Sequence, residues 1–247
     1  MPSLISTEIQ QLSSAPIVGA AVSVPNKSGA MYALATGRKW IRKTKLSTSE
    51  FDMLAEALGW LLSRKLDLPI PNLAAYVPGE YEKDCWLSEL IQNAGHWSAD
   101  KTPIQNLKDM GGFLTLDALL MNADRHEGNI LLEPRVENGE ETWHLWGIDF
   151  GNATIGRINE FVSIRSDLPD TKVLPRDLPF EILEGPALQA AEEIKTWPAS
   201  FINKSVHEAC QVAGYERAGE LAEVLEIRCN EAVSLTETYF KNILERL

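Results

Sequence analysis

Two short apolar runs joined by a polar turn, each bordered by amide or acid residues, restrict this chain most. The first, Ile130-Leu131-Leu132, follows Asp124-Arg125-His126-Glu127-Gly128-Asn129, and the second, Trp143 to Ile148, runs into Asp149-Phe150-Gly151. The turn between them holds Asn138-Gly139, and Asn-Gly between apolar runs is a strong signal for a β-hairpin. Such a hairpin sets Asn129, at the start of one strand, beside Asp149, at the end of the other, although twenty positions separate them. A further carboxylate, Asp124, stands five positions before Asn129. Phosphoryl transfer from ATP uses these parts: one carboxylate orients the attacking hydroxyl, while an amide oxygen and a second carboxylate hold the magnesium that bridges the phosphates. Mg2+ takes oxygen ligands and keeps several waters, so one or two side chains suffice. Asn129 and Asp149 are the candidate metal ligands and Asp124 the candidate catalytic residue.

Composition narrows the partners. A formal net charge of -12 over 247 residues argues against direct binding to a nucleic-acid backbone, which rewards Lys and Arg. The same charge disfavours an anionic membrane surface. Cys85, Cys210 and Cys229 are scattered without metal or disulfide spacing. The apolar run Ile17 to Val24 is too short to span a bilayer, and no basic segment precedes it. A cytoplasmic protein is expected.

Along the chain, two halves differ in character. Ile17 to Val24, Met31 to Thr36 and Lys39 to Thr44 read as strands, with Pro25 to Gly29 as a turn. Ser47-Thr48-Ser49 is expected to cap a helix whose Glu50 and Asp52 sit in its positive first turn. Leu54, Leu58, Leu61, Leu62 and Leu66 recur at helical spacing as its buried face, and Pro69-Ile70-Pro71 ends it. Strand character resumes over 73–77 and 86–91. From about residue 100 the chain reads as helical apart from the hairpin, and Leu221 to Leu247 reads as one long amphipathic helix. The expectation is an α+β, bilobal protein-kinase-like fold, with a β-rich N-terminal lobe over 1–92 and a mainly helical C-terminal lobe over 93–247.

That order makes further parts searchable. Side chains alternate across a strand, so Lys39, Ile41 and Lys43 share a face. Lys43 is the candidate for the phosphates, and Ile41 then lies over the adenine. An unpaired charge in a cleft is costly, so the following helix should offer a carboxylate. Glu56 is the candidate, with Glu50 behind it. The hinge strand is expected at Cys85 to Ile91, with adenine contacts at the backbone of Glu89 and Ile91. Ser28 and Gly29 are candidates for the phosphate-covering loop.

The order Asp124-Arg-His-Glu-Gly-Asn129 departs from the His-Arg-Asp order of common protein kinases. It resembles two groups, the phosphatidylinositol 3- and 4-kinases and the bacterial HipA-like serine/threonine kinases. Ile148-Asp149-Phe150-Gly151 suits the first. The small size, Trp40-Ile41-Arg42-Lys43 and the stretch Glu56 to Pro71 resemble the second more closely. The HipA-like resemblance implies ATP and Mg2+ as cofactors, a protein substrate, self-phosphorylation at a loop serine, and an antitoxin-like inhibitory partner in a toxin–antitoxin module. It spans roughly 17 to 155. Departures include the absence of a three-glycine phosphate loop and of an Ala-Pro-Glu anchor after Gly151. The stretch Arg157 to Pro179 occupies that place, and substrate recognition is expected there and in the C-terminal helices. Relatives of this type commonly carry an extra N-terminal subdomain, and the chain reads as a minimal version.

Plainer readings compete. Asp, Asn and Gly are ordinary turn residues, so Asp124, Asn129 and Asp149-Phe150-Gly151 each pass alone for turns and caps. His126 and Arg125 read as braces of the loop rather than as base or phosphate clamp. Asp117 either orients the loop or faces solvent. Two further function classes stay open: the same fold transferring AMP or acting on a small molecule or lipid, and a nucleotide-binding scaffold without catalysis.

Overall fold

The computed structural model describes residues 9–12, 17–23, 31–35, 38–44, 50–78, 85–155 and 167–246. Seven of its strands lie in the first hundred residues: β1 (Gln10–Gln11), β2 (Ile17–Ser23), β3 (Met31–Ala35), β4 (Arg38–Thr44), then helix α1 (Glu50–Lys65), and β5 (Ala74–Val77), β6 (Cys85–Glu89) and β7 (Gly95–His96). The first six form one sheet in the order β1-β5-β6-β4-β3-β2. Every pair is antiparallel except β1 with β5.

Alternation along the strands divides the sheet into two faces. Trp40, Ala75, Val77, Cys85 and Leu87 form a small cluster on one face. Ala74, Tyr76 and Trp86 join α1 in the main core on the other. Lys43 pairs with Trp86 in register and therefore points to the α1 side, as the alternation from Trp40 requires. The expected strand over 86–91 begins one residue earlier and stops at Glu89. Ile91 is thus beyond the strand.

The second half contains α2 (Asp109–Leu120), a 3-10 turn (Glu127–Asn129), β8 (Ile130–Glu137), β9 (Glu140–Gly147), α3 (Phe180–Lys195), α4 (Ala199–Ala213), α5 (Ala218–Asn230) and α6 (Ala232–Leu244). The hairpin expected from Asn138-Gly139 is present, with Glu137 paired to Glu140. Asn138 and Gly139 have φ of 53° and 85°, the pair of positive values a type I′ turn requires. Residues Met110 to Leu120 of α2 are all buried. A helix apolar around its circumference belongs at the centre of a fold, and α2 packs against both α3 and α6. Gly111 permits this approach: a Cβ there would lie 2.7 Å from Ala187 N and 2.8 Å from Leu183 O.

The expected single C-terminal helix is two, α5 and α6, joined at Glu231. The apolar positions Leu225 and Ala232 lie seven residues apart across the joint, so a one-residue bend leaves the stripe in phase and the pattern does not reveal it. Arg228, just before the bend, is buried and donates to the carbonyls of Ala118, Leu119 and Asp167. It thereby adds a donor to carbonyls in the last turn of α2, where intrahelical partners run out. One contiguous core runs from Ile9 through α1 and α2 to Ile243, with α1 packed against α4. Among the described residues no helix is long and apolar enough to cross a membrane.

Candidate active site

Three elements converge: β4 with Lys43, α1 with Glu56, and the loop ends of the β8–β9 hairpin. Lys43 Nζ contacts Glu56 Oε1 and stands 2.7 Å from Asp149 Oδ1. The other Glu56 oxygen accepts from the Phe150 amide at 3.3 Å. Glu56 therefore ties the strand lysine to the Asp149-Phe150-Gly151 turn. It does so from two turns inside α1, as the leucine spacing of that helix allows.

The charges in this cluster are unequal. Burial pulls the Lys43 ammonium toward its neutral form, but Asp149 and Glu56 outweigh burial and the net shift is upward. Burial pushes the Glu56 carboxyl up to about 7 despite Lys43. Burial also acts to raise Asp149, yet Lys43 holds it down at about 2. Asp149 is accordingly the ionised partner at neutral pH. Its φ of 63° is uncommon for a residue with a Cβ, and the Gly151 amide donates to its Oδ1 at 3.2 Å.

The loop between α2 and β8 is built around Arg125. This side chain is fully buried and forms a bidentate pair with Asp117, Nε to Oδ2 and Nη2 to Oδ1, both at 2.8 Å. Its Nη1 donates to the carbonyls of Asn129, at 3.2 Å, and Ile148, at 2.5 Å. The guanidinium also lies 4.8 Å from the Phe150 ring centroid. Arg125 is thus a brace, and Asp117 is its buried counter-charge rather than a solvent-facing residue. Asn122 donates to Asp117 at 2.7 Å and accepts from the Asp124 amide at 3.3 Å.

Asn129 Nδ2 donates to the Asp124 carbonyl at 2.7 Å. That bond turns the amide so that its oxygen is the atom left for a cation. The Ile148 amide donates to the Asn129 carbonyl at 3.1 Å, which joins the two ends of the hairpin as the sequence spacing requires. An ionised carboxylate and an oriented amide oxygen are the donor set that suits a hard cation such as magnesium. Asp124 itself is one-third exposed. His126 braces its own turn, its Nδ1 accepting from the Gly128 amide at 2.9 Å, and its Nε2 stands 3.9 Å from Asp124 Oδ2.

Other expectations divide. Ile41 pairs with Ser88 on β6 and is half-buried. The Glu89 amide already donates to the Leu73 carbonyl at 3.0 Å, so it has no hydrogen to offer an adenine. The Glu89 side chain faces Arg38 at 3.3 Å. β6 is an interior strand whose amides serve its neighbours, so an adenine contact at Glu89 would use its carbonyl rather than its amide. Ser28 and Gly29 lie outside the described residues, as do the cap at 47–49 and most of the first half of 157–179. Sequence reasoning missed Asn152, whose Nδ2 donates to Asp124 Oδ2 at 2.5 Å. An Asn after Gly reads only as a turn residue. It also missed Gly59, where a Cβ would meet the Phe150 ring.

Comparison with solved structures finds the same fold elsewhere. The proinflammatory kinase CtkA of Helicobacter pylori superposes with a TM-score of 0.61, covering 96% of this chain and 99% of that one at 11% identity. The fold is protein-kinase-like. The Rio2 kinase of Chaetomium thermophilum, solved as an ADP/Mg2+-phosphoaspartate complex, aligns at a TM-score of 0.40 and 13% identity over 88% of this chain and 71% of that one. No protein-family profile and no curated protein matches the sequence.

Proposed function

We propose that this chain is an ATP- and Mg2+-dependent phosphotransferase that moves the γ-phosphoryl group to a hydroxyl, and that it acts as a HipA-like serine/threonine protein kinase. The observation that carries the reading is the Lys43–Glu56–Asp149 cluster, set beside the oriented Asn129 amide and the partly open Asp124 carboxylate. A kinase needs these charges on neighbouring elements in that order.

Magnesium, when bound, neutralises the charge that develops on the transferred group. Asn129 and Asp149 are the residues that would hold it. Lys43 Nζ, kept charged by its two carboxylates, offers its ammonium to the nucleotide phosphates. Glu56 holds Lys43 in place while gripping the Phe150 amide. Asp124 accepts a hydrogen bond from the acceptor hydroxyl and orients it for in-line attack. Arg125, buried against Asp117, keeps the loop and both hairpin ends in fixed relation. Ile41 is assigned to the adenine face and Ser28 and Gly29 to the phosphate loop. The hinge contacts are assigned to the backbone of Glu89, through its carbonyl, and of Ile91.

A protein substrate, rather than a lipid, suits the overall charge of -12. The test is to incubate the purified protein with ATP and magnesium, alone and with casein as acceptor, and map new phosphoesters by mass spectrometry. Phosphoserine or phosphothreonine that vanishes in Asp124→Ala supports the reading. Phosphate on a lipid or small molecule but on no protein would contradict the protein-kinase part of it.

A further inference from the structure

The backbone of Asp124 is held at both its amide and its carbonyl. The Asp124 amide donates to Asn122 Oδ1, at 3.3 Å, and its carbonyl accepts from Asn129, at 2.7 Å. The backbone is therefore fixed, and the remaining freedom is the rotation of the carboxylate. Rotation about the last torsion of an aspartate is broad and nearly two-fold, so a one-third exposed Asp124 has no preferred orientation unless one oxygen is held. His126 Nε2, at 3.9 Å from Oδ2, is too distant for a hydrogen bond. Asn152 Nδ2, at 2.5 Å from the same oxygen, is not. A carboxylate only accepts, so the group facing it is the amide N–H2 rather than the amide oxygen.

Asn152 is itself placed by the turn that carries Asp149. The Ala153 amide donates to the Phe150 carbonyl at 2.8 Å, and the Thr154 amide to the Met121 carbonyl at 3.2 Å. Ala153 also bridges Asn122. Asn152 thus hangs between the Asp149 turn and the end of α2, with its side chain exposed and outside the core.

We propose that Asn152 is a positioning residue for phosphoryl transfer: it holds Asp124 by Oδ2 so that Oδ1 meets the acceptor hydroxyl, and it aligns Asp124 only while the Asp149 turn is in place. The proposal rests on the phosphotransferase reading above. In the step, the hydroxyl oxygen forms a bond to the γ-phosphorus. The bond from that phosphorus to the β,γ-bridging oxygen breaks, and its electron pair leaves with ADP. The hydroxyl proton passes to Asp124 Oδ1, the oxygen that Asn152 leaves open. Through Asn152, the residue that orients the acceptor and the residue assigned to the metal are aligned together.

The test measures kcat and KM for ATP with γ-labelled ATP, magnesium and casein. Asn152→Leu keeps the size and loses the donor. Asn152→Asp keeps the shape and replaces the donor with an acceptor. Asn152→His restores an N–H at similar reach. The expected result is a loss in kcat of about 10- to 100-fold for Leu and Asp, consistent with the effect of misplacing a catalytic group. KM for ATP stays within about twofold, and His recovers most of the rate. In an Asp124→Ala background, Asn152→Leu produces no further loss, whereas a purely structural residue gives additive losses. Asn152→Leu at wild-type kcat, or additive losses, overturns the proposal and leaves the kinase reading standing. Full transfer by Asp124→Ala overturns both. Crystal structures of wild type and Asn152→Leu with ADP and magnesium decide independently of turnover. An Asp124 carboxylate rotated away in the variant supports the proposal, and an unchanged rotamer refutes it.

Discussion

Gly59 lies in the interior of α1, where glycine costs a helix about 1 kcal/mol relative to alanine. On local grounds Gly59→Ala should stabilise the protein. The packing says otherwise. A Cβ at Gly59 would overlap Phe150 Cγ and stand 2.6 Å from Phe150 Cβ and Cδ2, well inside ordinary contact. The near atoms include Phe150 Cβ, which ring rotation does not move, so the Asp149-Phe150-Gly151 turn must shift. Retreat is blocked by the Arg125 guanidinium, 4.8 Å from the ring centroid. Overpacking of this kind costs about 1–3 kcal/mol. Set against the helix gain, the net change in urea denaturation should run from near zero to about 2 kcal/mol of destabilisation. Turnover should suffer far more. A displacement of about 1 Å at a catalytic group costs on the order of 100-fold, and Asp149 is adjacent to the residue that moves. Gly219, near the start of α5 with nothing within 4 Å of its would-be Cβ, is the control. Gly219→Ala should add about 0.5–1 kcal/mol and leave turnover alone. A Gly59→Ala protein that is about 1 kcal/mol more stable, with wild-type turnover, would refute the packing argument.

Other expectations follow from the same contacts. Arg125→Met leaves Asp117 buried without its counter-charge, and breaking such a pair costs about 3–5 kcal/mol, readable as a lower denaturation midpoint. Lys43→Met removes the partner of both Glu56 and Asp149; calorimetry should show ATP affinity reduced by about tenfold or more, since a charge-assisted contact is worth roughly 1.5–3 kcal/mol. The pH dependence has opposite signs at the two carboxylates. Asp149 is held below its ordinary value, at about 2, so its contribution is lost as pH falls from about 4 through 2. Glu56 is raised to about 7, so its contribution is present below about pH 4.5 and lost as pH rises through 7. Thermal melts of Glu56→Gln should therefore lack the decline that wild type shows between about pH 4.5 and 7, and an unchanged decline would locate its cause elsewhere.

The hairpin was readable because its information is local: Asn138-Gly139 sets the turn, and the turn sets the register that joins Asn129 to Ile148. Lys43 was readable through the alternation of a strand, and Glu56 through the need for a counter-charge. Asp117 was ambiguous because its partner Arg125 lies eight residues away, across a helix end, where no periodic pattern applies. That the Glu89 amide is already engaged was not legible, because the sequence does not show that β6 lies between two strands. Asn152 and Gly59 escaped notice for a related reason. Their roles are tertiary contacts with Asp124 and Phe150, and each residue type has a commonplace local meaning. The bend at Glu231 was hidden by an apolar stripe that stays in phase across it.

The most direct measurement supplies the purified protein with magnesium and ATP labelled on either the α- or the γ-phosphate, with Asp149→Asn in parallel. Asp149, ionised and facing Lys43 at 2.7 Å, should be indispensable. Label arriving from the γ position alone, and lost in the variant, is the predicted result. Label arriving from the α position, or γ transfer that persists undiminished in Asp149→Asn, would contradict the assignment of this site to phosphoryl transfer.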